Sequence, residues 1–315
     1  MNIIAGIDVS KATVDVCVAG KTRSFANDLQ GFRQVAKYCK AASLVVMEAT
    51  GTYHLGLACY LHSQDFKVAV VNPARPCYYA KSLGLRNKTD KVDARVLAEF
   101  GRTHELELFV PPTDAELNLC RLVRLRSDLV AQRVQGKNRL SDPAVTGFEG
   151  SLLAAQAAFL DEQIDQVERE IVRVLKSDEA LGRACELLTS IPGIGAVTAW
   201  SILAEVRDVR RFASAKKVAA FAGLCPSLRH SGTSLTGSGK LSRQGCRPLR
   251  KALYMAAVTA IRCSGPFQAF YERLIAQRKA KRSALVAVMH KLIRVAYGVL
   301  KGGAPFDRQQ GLTPN

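Results

Sequence analysis

No Cys-x-x-Cys pair occurs among the nine cysteines, which stand singly at 17, 39, 59, 77, 120, 185, 225, 246 and 263, and the five histidines never take metal-ligand spacing. That pattern argues against a zinc site and against a disulfide framework, and leaves the cysteines as small core residues in a reducing compartment. No apolar run reaches the roughly 18 to 20 residues of a membrane span, and no basic-then-apolar leader opens the chain. The expectation is a cytoplasmic, nucleoid-associated protein with no membrane partner. Acids are scarce in one region: residues 183–315 hold 5 Asp and Glu against 22 Lys and Arg.

What is present begins with that imbalance. The 315 residues carry a formal charge of +18, and 48% are hydrophobic. Residues 1–115 hold 14 bases against 11 acids and residues 116–182 hold 9 against 11, so the excess is C-terminal. A one-sided excess of that size points to a polyanion, and without a lipid-binding amphipathic helix the polyanion is nucleic acid.

The first third alternates strand and helix patterns. "NIIAGIDVS" and "VDVCVAG" read as adjacent strands, "SLVVMEAT" and "KVAVVNP" as short buried strands, and "FRQVAKYCK" and "HLGLACYLHSQD" as helices. This predicts a central sheet covered by helices. From Asp114 a helical pattern with Leu122, Leu125 and Leu129 runs to about Leu140, where "SDPAVTG" breaks it. Leu160, Ile164, Val167, Ile171 and Val174 then form a heptad seam, suited to a coiled-coil hairpin, a dimer contact or packing on the same domain. The remainder reads as basic helices interrupted by a Ser/Gly/Arg-rich loop over residues 226–248. The predicted segments are 1–113, 114–182 and 183–315.

Four acids stand out in the first segment. Asp8 ends an apolar strand pattern, and Glu48 closes "LVVME". Asp90 and Asp93 lie three apart in "NKTDKVDARVLAEF", where Val92, Val96, Leu97 and Phe100 recur at helical spacing and Asn87 or Thr89 is a candidate cap. Three residues along a helix leave both carboxylates on one face. Helix-dipole stabilisation accounts for acids in a first turn. Four carboxylates in one cleft demand more, and two divalent ions about 3.5 to 4 Å apart would neutralise them.

The order Asp, Glu, Asp, Asp resembles the ribonuclease H-like fold, specifically its Holliday-junction resolvase branch. "GIDVSKATVDV", "MEATGTYH", "GLRNKTDKVDARVLAEF", "LLTSIPGIGAVTAWSILAEV" and "RPLRKALYMAA" together resemble the DEDD-type insertion-sequence transposases related to the pilin-gene invertase. The resemblance implies a resolvase-like α/β N-terminal domain, a coiled-coil middle segment and a mainly helical C-terminal domain carrying a catalytic serine. It implies Asp8, Glu48, Asp90 and Asp93 as ligands of Mg²⁺. It also implies a structured non-coding guide RNA from the element, and a homo-oligomer, dimer or tetramer, held by the coiled coil. Serine and acids lie in different segments, so a composite site is expected.

Within the basic loop, Ser231, Ser234, Ser238 and Ser242 are all candidate nucleophiles on chemical grounds, since an attacking hydroxyl needs an electropositive platform. The resemblance aligns the family's nucleophile with Ser231 in "RHSGTS". Arg229 and His230 beside it, and Lys240, Arg243, Arg247 and Arg250 beyond, are candidate phosphate contacts; a Gly/Ser linker whose arginines grip only backbone is the plainer reading. "TGSGK" fails as a nucleotide-binding loop because Leu241 stands where Ser or Thr is required. "IPGIG" resembles the turn of a helix-hairpin-helix, with Gly193 and Gly195 freeing backbone N–H groups for a phosphate. Tyr254, Tyr297 and Trp200 read as core residues on apolar helix faces.

The sequence reading is a recombinase that cuts and rejoins DNA at element ends and target through a serine nucleophile beside an acidic Mg²⁺ site. Its rivals are a junction-resolving nuclease and a transposase that uses the acids alone.

Overall fold

The structure, a computed structural model, describes residues 3–49, 51–84, 90–227, 240–241 and 244–307; of residues 90–92, 226–227 and 240–241 it describes the backbone. The chain divides into two compact units, Met1–Pro111 and Pro112–Asn315.

The first unit is built on a five-stranded sheet. Strands β1 (Ile4–Val9), β2 (Thr13–Val18) and β3 (Lys21–Ala26) form an antiparallel meander, and β4 (Leu44–Glu48) and β5 (Val68–Val71) extend it parallel to β1, in the order β3-β2-β1-β4-β5. Alternation sorts the side chains between two faces. One face, with Ala5, Ile7, Val14, Val16, Val45 and Met47, packs on helices α1 (Leu29–Tyr38) and α2 (Tyr53–Ser63) through Val35, Leu57 and Leu61. Asp28 caps α1 by accepting from the Gly31 N–H at 2.7 Å.

The opposite face, with Ile4, Val46, Ala69 and Val71, is covered through Leu97 and Phe100 of α4 (Asp90–Thr103), beside the shorter α3 (Ala74–Ser82). The helical stripe expected in this segment is the buried one: Val96, Leu97 and Phe100 are 5%, 1% and 2% exposed. Burying each such side chain contributes about 1.5 to 3 kcal/mol. The candidate caps Asn87 and Thr89 lie outside the described residues.

The second unit is helical. Helix α5 (Asp114–Leu140) opens on a capping box between Thr113 and Glu116, and α6 (Gly147–Ser177) returns beside it. Arg126 pairs with Glu168 at 2.7 Å, and Arg133 and Lys137 with Asp161, so rising numbers on α5 meet falling numbers on α6: an antiparallel hairpin. The heptad seam lies inside this unit, with Leu160, Ile164, Ile171 and Val174 buried. It is therefore not free for a contact between copies, and Leu125, part of the apolar pattern of α5, is exposed.

Helices α7 (Glu179–Thr189), α8 (Ala196–Val206), α9 (Ala215–Phe221), α10 (Arg247–Ala260), α11 (Pro266–Ala276) and α12 (Lys281–Gly302) close one core around Ile202, Leu253, Phe267 and Leu292. Two findings correct the sequence reading. Helix α12 is long and apolar enough by length and composition to cross a membrane, contrary to the expectation that no run reaches that length. Its apolar residues Val288, Met289, Leu292, Ile293 and Ala296 are core residues of the unit. Residues 226–248 are not wholly loop: β6 (Pro226–Ser227) pairs antiparallel with β7 (Lys240–Leu241), and α10 begins at Arg247.

Candidate active site

The acids of the first unit gather by strand register. Asp8 stands directly across the β1–β2 ladder from Asp15, and Asp15 directly across β2–β3 from Ser24. On the other side β1 and β4 are in register from Ile4↔Leu44 to Ile7↔Met47, which brings Asp8 and Glu48 to the next step on neighbouring strands. Ile4, Gly6 and Asp8 alternate onto the face that also carries Val46 and Glu48, the face covered by α4. Asp8 and Glu48 are both half-buried.

Packing fixes which end of α4 meets these acids. A Cβ on Gly6 would strike Ala94 O and Ala98 N, so glycine is what lets the helix backbone lie on β1. Gly101, further along α4, lies against Ile4 and Val46. The helix therefore runs opposite to β1, and its N-terminal turn extends past Gly6 towards Asp8. From the middle of the Ala94–Ala98 contact back to Asp93 and Asp90 is roughly 4.5 to 9 Å of helix. From Gly6 to Asp8 is roughly 6.6 Å of strand. The first turn of α4 thus sits at the level of the strand-end carboxylates, and its positive dipole end faces them. Asp93 is half-buried there; the Asp90 side chain lies outside the described residues. Among the described residues no three His, Cys, Asp or Glu side chains are gathered closely enough to hold a metal ion. The four acids expected as ligands would offer oxygen alone, the chemistry suited to a hard divalent cation.

In the second unit, Ser231, Arg229, His230, Ser234, Ser238, Ser242 and Arg243 lie outside the described residues, as does the Lys240 side chain. The β6–β7 ladder sets Ser227 opposite Lys240. Arg247 is exposed at the start of α10. Arg250 is half-buried, and its Nη1 donates to Ala222 O at 3.0 Å, a contact that ties α10 to the end of α9.

Gly193 and Gly195 differ in kind. Gly193 has φ +90°, and a Cβ there would lie 2.7 Å from Ala256 O, so packing against α10 alone requires glycine. Gly195 is the N-cap of α8, with open space around its Cα and no acid in the helix's first turn. Trp200 and Tyr297 are core residues as expected, and the Tyr297 hydroxyl donates to Phe212 O at 3.1 Å. Tyr254 is 50% exposed, a correction to its reading as core: it falls on the outer side of α10, whose inner side carries Leu249, Leu253 and Ala257.

A basic cluster that sequence reasoning passed over lies on α11 and α12. Burial and the neighbouring charges of Arg294 and Arg273 push the Lys291 ammonium below its usual range, and burial with Arg294 and Lys291 does the same to His290. Their sequence lies in a mostly apolar helix, and folding brings Arg273 of α11 to Lys291 and Arg294 of α12.

Two family models match the chain: residues 5–144 match one described as Transposase, and residues 185–272 match the Transposase IS116/IS110/IS902 family. The chain is 34% identical to the pilin gene-inverting protein of Moraxella bovis over 96% of this chain and 97% of that one. It is 33% identical to the pilin gene-inverting protein of Moraxella lacunata at the same coverage. The transposase for insertion sequence element IS1328 of Yersinia enterocolitica is 27% identical over 84% of this chain and 86% of its own length. The chain therefore belongs to the IS116/IS110/IS902 family and is an insertion-sequence transposase, an enzyme of DNA strand cleavage and transfer.

Proposed function

We propose that this transposase cuts DNA with the hydroxyl of Ser231 and that Asp8, Glu48, Asp90 and Asp93 hold the divalent cation, Mg²⁺, on which cutting depends. Ser231 Oγ attacks the phosphorus of a phosphodiester. A serine–phosphorus bond forms, the bond from phosphorus to the 3′ oxygen breaks, and the serine proton ends on that oxygen. The product is a 5′-phosphoserine link and a free 3′-hydroxyl, and rejoining reverses the exchange on a new strand. A cation at the acids would supply Lewis-acid stabilisation of oxygen charge. The carboxylates would orient it, and the first turn of α4 would keep Asp90 and Asp93 facing the strand ends.

The observation that carries the acidic half of this reading is the register: carboxylates on adjacent strands, on the one face that the N-terminus of α4 covers. Support for the DNA-binding half is the charge of residues 183–315 together with exposed Arg247, the open N-cap at Gly195 and the crowded bases of α12. Arg229, Lys240 and Arg243 would hold the phosphates flanking the cut. Residues 1–113 would act as the acidic domain, 114–182 as the coiled-coil segment and 183–315 as the serine-bearing domain. A structured RNA from the element would choose target and donor by base pairing.

The homo-oligomer would form through the exposed stripe Phe148, Leu152 and Phe159 on α6, since the other seam of that helix is already buried.

The test is strand cleavage of element-end DNA, with the element's RNA and Mg²⁺, by wild type, Asp8→Asn and Ser231→Ala. Loss of cutting in both variants supports the reading. Cutting retained by Ser231→Ala returns the chain to the acid-only alternatives.

A further inference from the structure

Asp15 is a carboxylate that the four-acid set does not use. It is 8% exposed, the buried acid among the described residues. Val14 and Val16 on either side belong to the core under α1 and α2, so alternation turns Asp15 to the α4 face, the face of Asp8. Its Oδ1 accepts a hydrogen bond from the Ser24 hydroxyl, directly across the next ladder. Among the described residues no Lys, Arg or His pairs with it.

This placement is costly as it stands. Taking an ionised carboxylate out of water is strongly unfavourable unless an opposite charge compensates, and the Ser24 hydroxyl is neutral. Directly opposed residues of an antiparallel pair have Cβ atoms about 4.5 to 5.5 Å apart, and like charges so placed repel. Ser24, Asp15, Asp8 and Glu48 therefore form a transverse row in which acids occupy three adjacent strands and a hydroxyl fixes the outermost acid. Register places Asp15 one strand further from Glu48 than Asp8 is, with the Ser24 hydroxyl already on its carboxylate, so it stands behind Asp8 in the row.

We infer that Asp15 is a positioning residue of the acidic site: its fixed charge, one strand behind Asp8, strengthens the hold on a divalent cation and keeps the Asp8 carboxylate turned towards it. The inference rests on the reading of Asp8, Glu48, Asp90 and Asp93 as the cation-holding acids. Ser24 locks the Asp15 side chain, so the charge stays where Asp8 feels it.

The test is Mn²⁺ binding to the full-length protein without nucleic acid, with free ion counted by electron paramagnetic resonance, alongside melting of the cation-free protein. Asp15→Asn is expected to weaken Mn²⁺ about 10- to 100-fold, the usual effect of losing an outer partner of a metal site. The same variant should melt higher than wild type without cation, because a buried charge and a repulsion are gone. Ser24→Ala should weaken Mn²⁺ by a smaller factor. A purely structural Asp15 gives the reverse pattern, with lower melting and unchanged Mn²⁺ affinity, and that overturns the inference. If Asp15→Asn does not fold, unchanged affinity in Ser24→Ala overturns it. Asp8→Asn separates the two levels. Loss of Mn²⁺ in Asp8→Asn but not in Asp15→Asn removes Asp15 alone, whereas no binding in wild type, or equal binding in Asp8→Asn, removes the acidic-site reading with it.

Discussion

Gly6 on β1 lies directly beneath Ala94 and Ala98 of α4, so closely that a single added carbon would strike the helix backbone. This contact sets the height and direction of the helix whose first turn carries Asp90 and Asp93. Gly6→Ala is expected to force α4 off the sheet, destabilising the protein by about 1 to 3 kcal/mol. DNA cleavage should fall further than the lost folded fraction explains. Circular dichroism melting together with a cleavage assay checks this, and normal cleavage in a folded Gly6→Ala protein contradicts it.

The two sides of α6 predict opposite outcomes. Ile171 is fully buried, and Ile171→Ala should cost about 2 to 5 kcal/mol of stability. Phe148 and Phe159 are 83% and 59% exposed, so Phe148→Ser with Phe159→Ser removes no core packing and should leave the circular dichroism spectrum unchanged. That double variant should lower the mass of the oligomer by light scattering, the outcome expected if the exposed stripe joins copies.

Arg247 and Arg250 lie on one turn of α10 yet predict different effects. Arg247 is exposed, so Arg247→Ala should weaken DNA binding evenly across sequences and reduce the slope of affinity against salt by about one phosphate contact. Arg250→Ala removes the bond to Ala222 O that ties α9 to α10, and should lower thermal stability as well. Binding titrations at several salt concentrations, paired with melting curves, separate the two.

Thiol reactivity follows burial. Burial pushes the Cys39 thiol up to about 12, and burial with the charge of Glu205 does the same for Cys246, whose Sγ donates to Glu205 Oε2 at 3.3 Å. At pH 8 iodoacetamide should label exposed Cys77 and Cys263 first and leave Cys39 and Cys246 untouched, as mass spectrometry would show. Both folded values lie above the ordinary thiol value of 9.0, so the folded state holds these protons more tightly than the unfolded chain. Their contribution to stability is full below about pH 9 and is lost as pH rises towards about 12.

Elements with an apolar signature were legible in the sequence. Strands β1, β2 and β4 stand out as apolar stretches because helices bury both faces of the sheet, and α4 stands out by a stripe at helical spacing because it buries one side. Strand β3 escapes that logic: "KTRSFA" is an edge strand with most of its residues exposed, so no apolar period marks it. Helix α3 escapes for another reason. Pro73 follows the β5 pattern and stands at the N-cap of α3, where a missing N–H costs nothing.

The site was legible in part for a related reason. Asp8 and Glu48 are conspicuous as the acids that end apolar strands, whereas Asp15 sits in mid-strand and becomes part of the same row only through ladder register. Tyr254 shares a helix with Leu253 and Ala257, and periodicity alone did not settle which side of α10 would face outward.

The measurement that bears most directly on the central claim is mass spectrometry of a quenched cleavage reaction. Trypsin cuts after Arg229 and Lys240, so residues 230–240 leave as one peptide carrying Ser231, Ser234 and Ser238. A nucleotide 5′-phosphate is expected on Ser231 of that peptide, formed with Mg²⁺ and absent from Asp8→Asn. Cleaved DNA with no such adduct, or an adduct on a different residue, contradicts it.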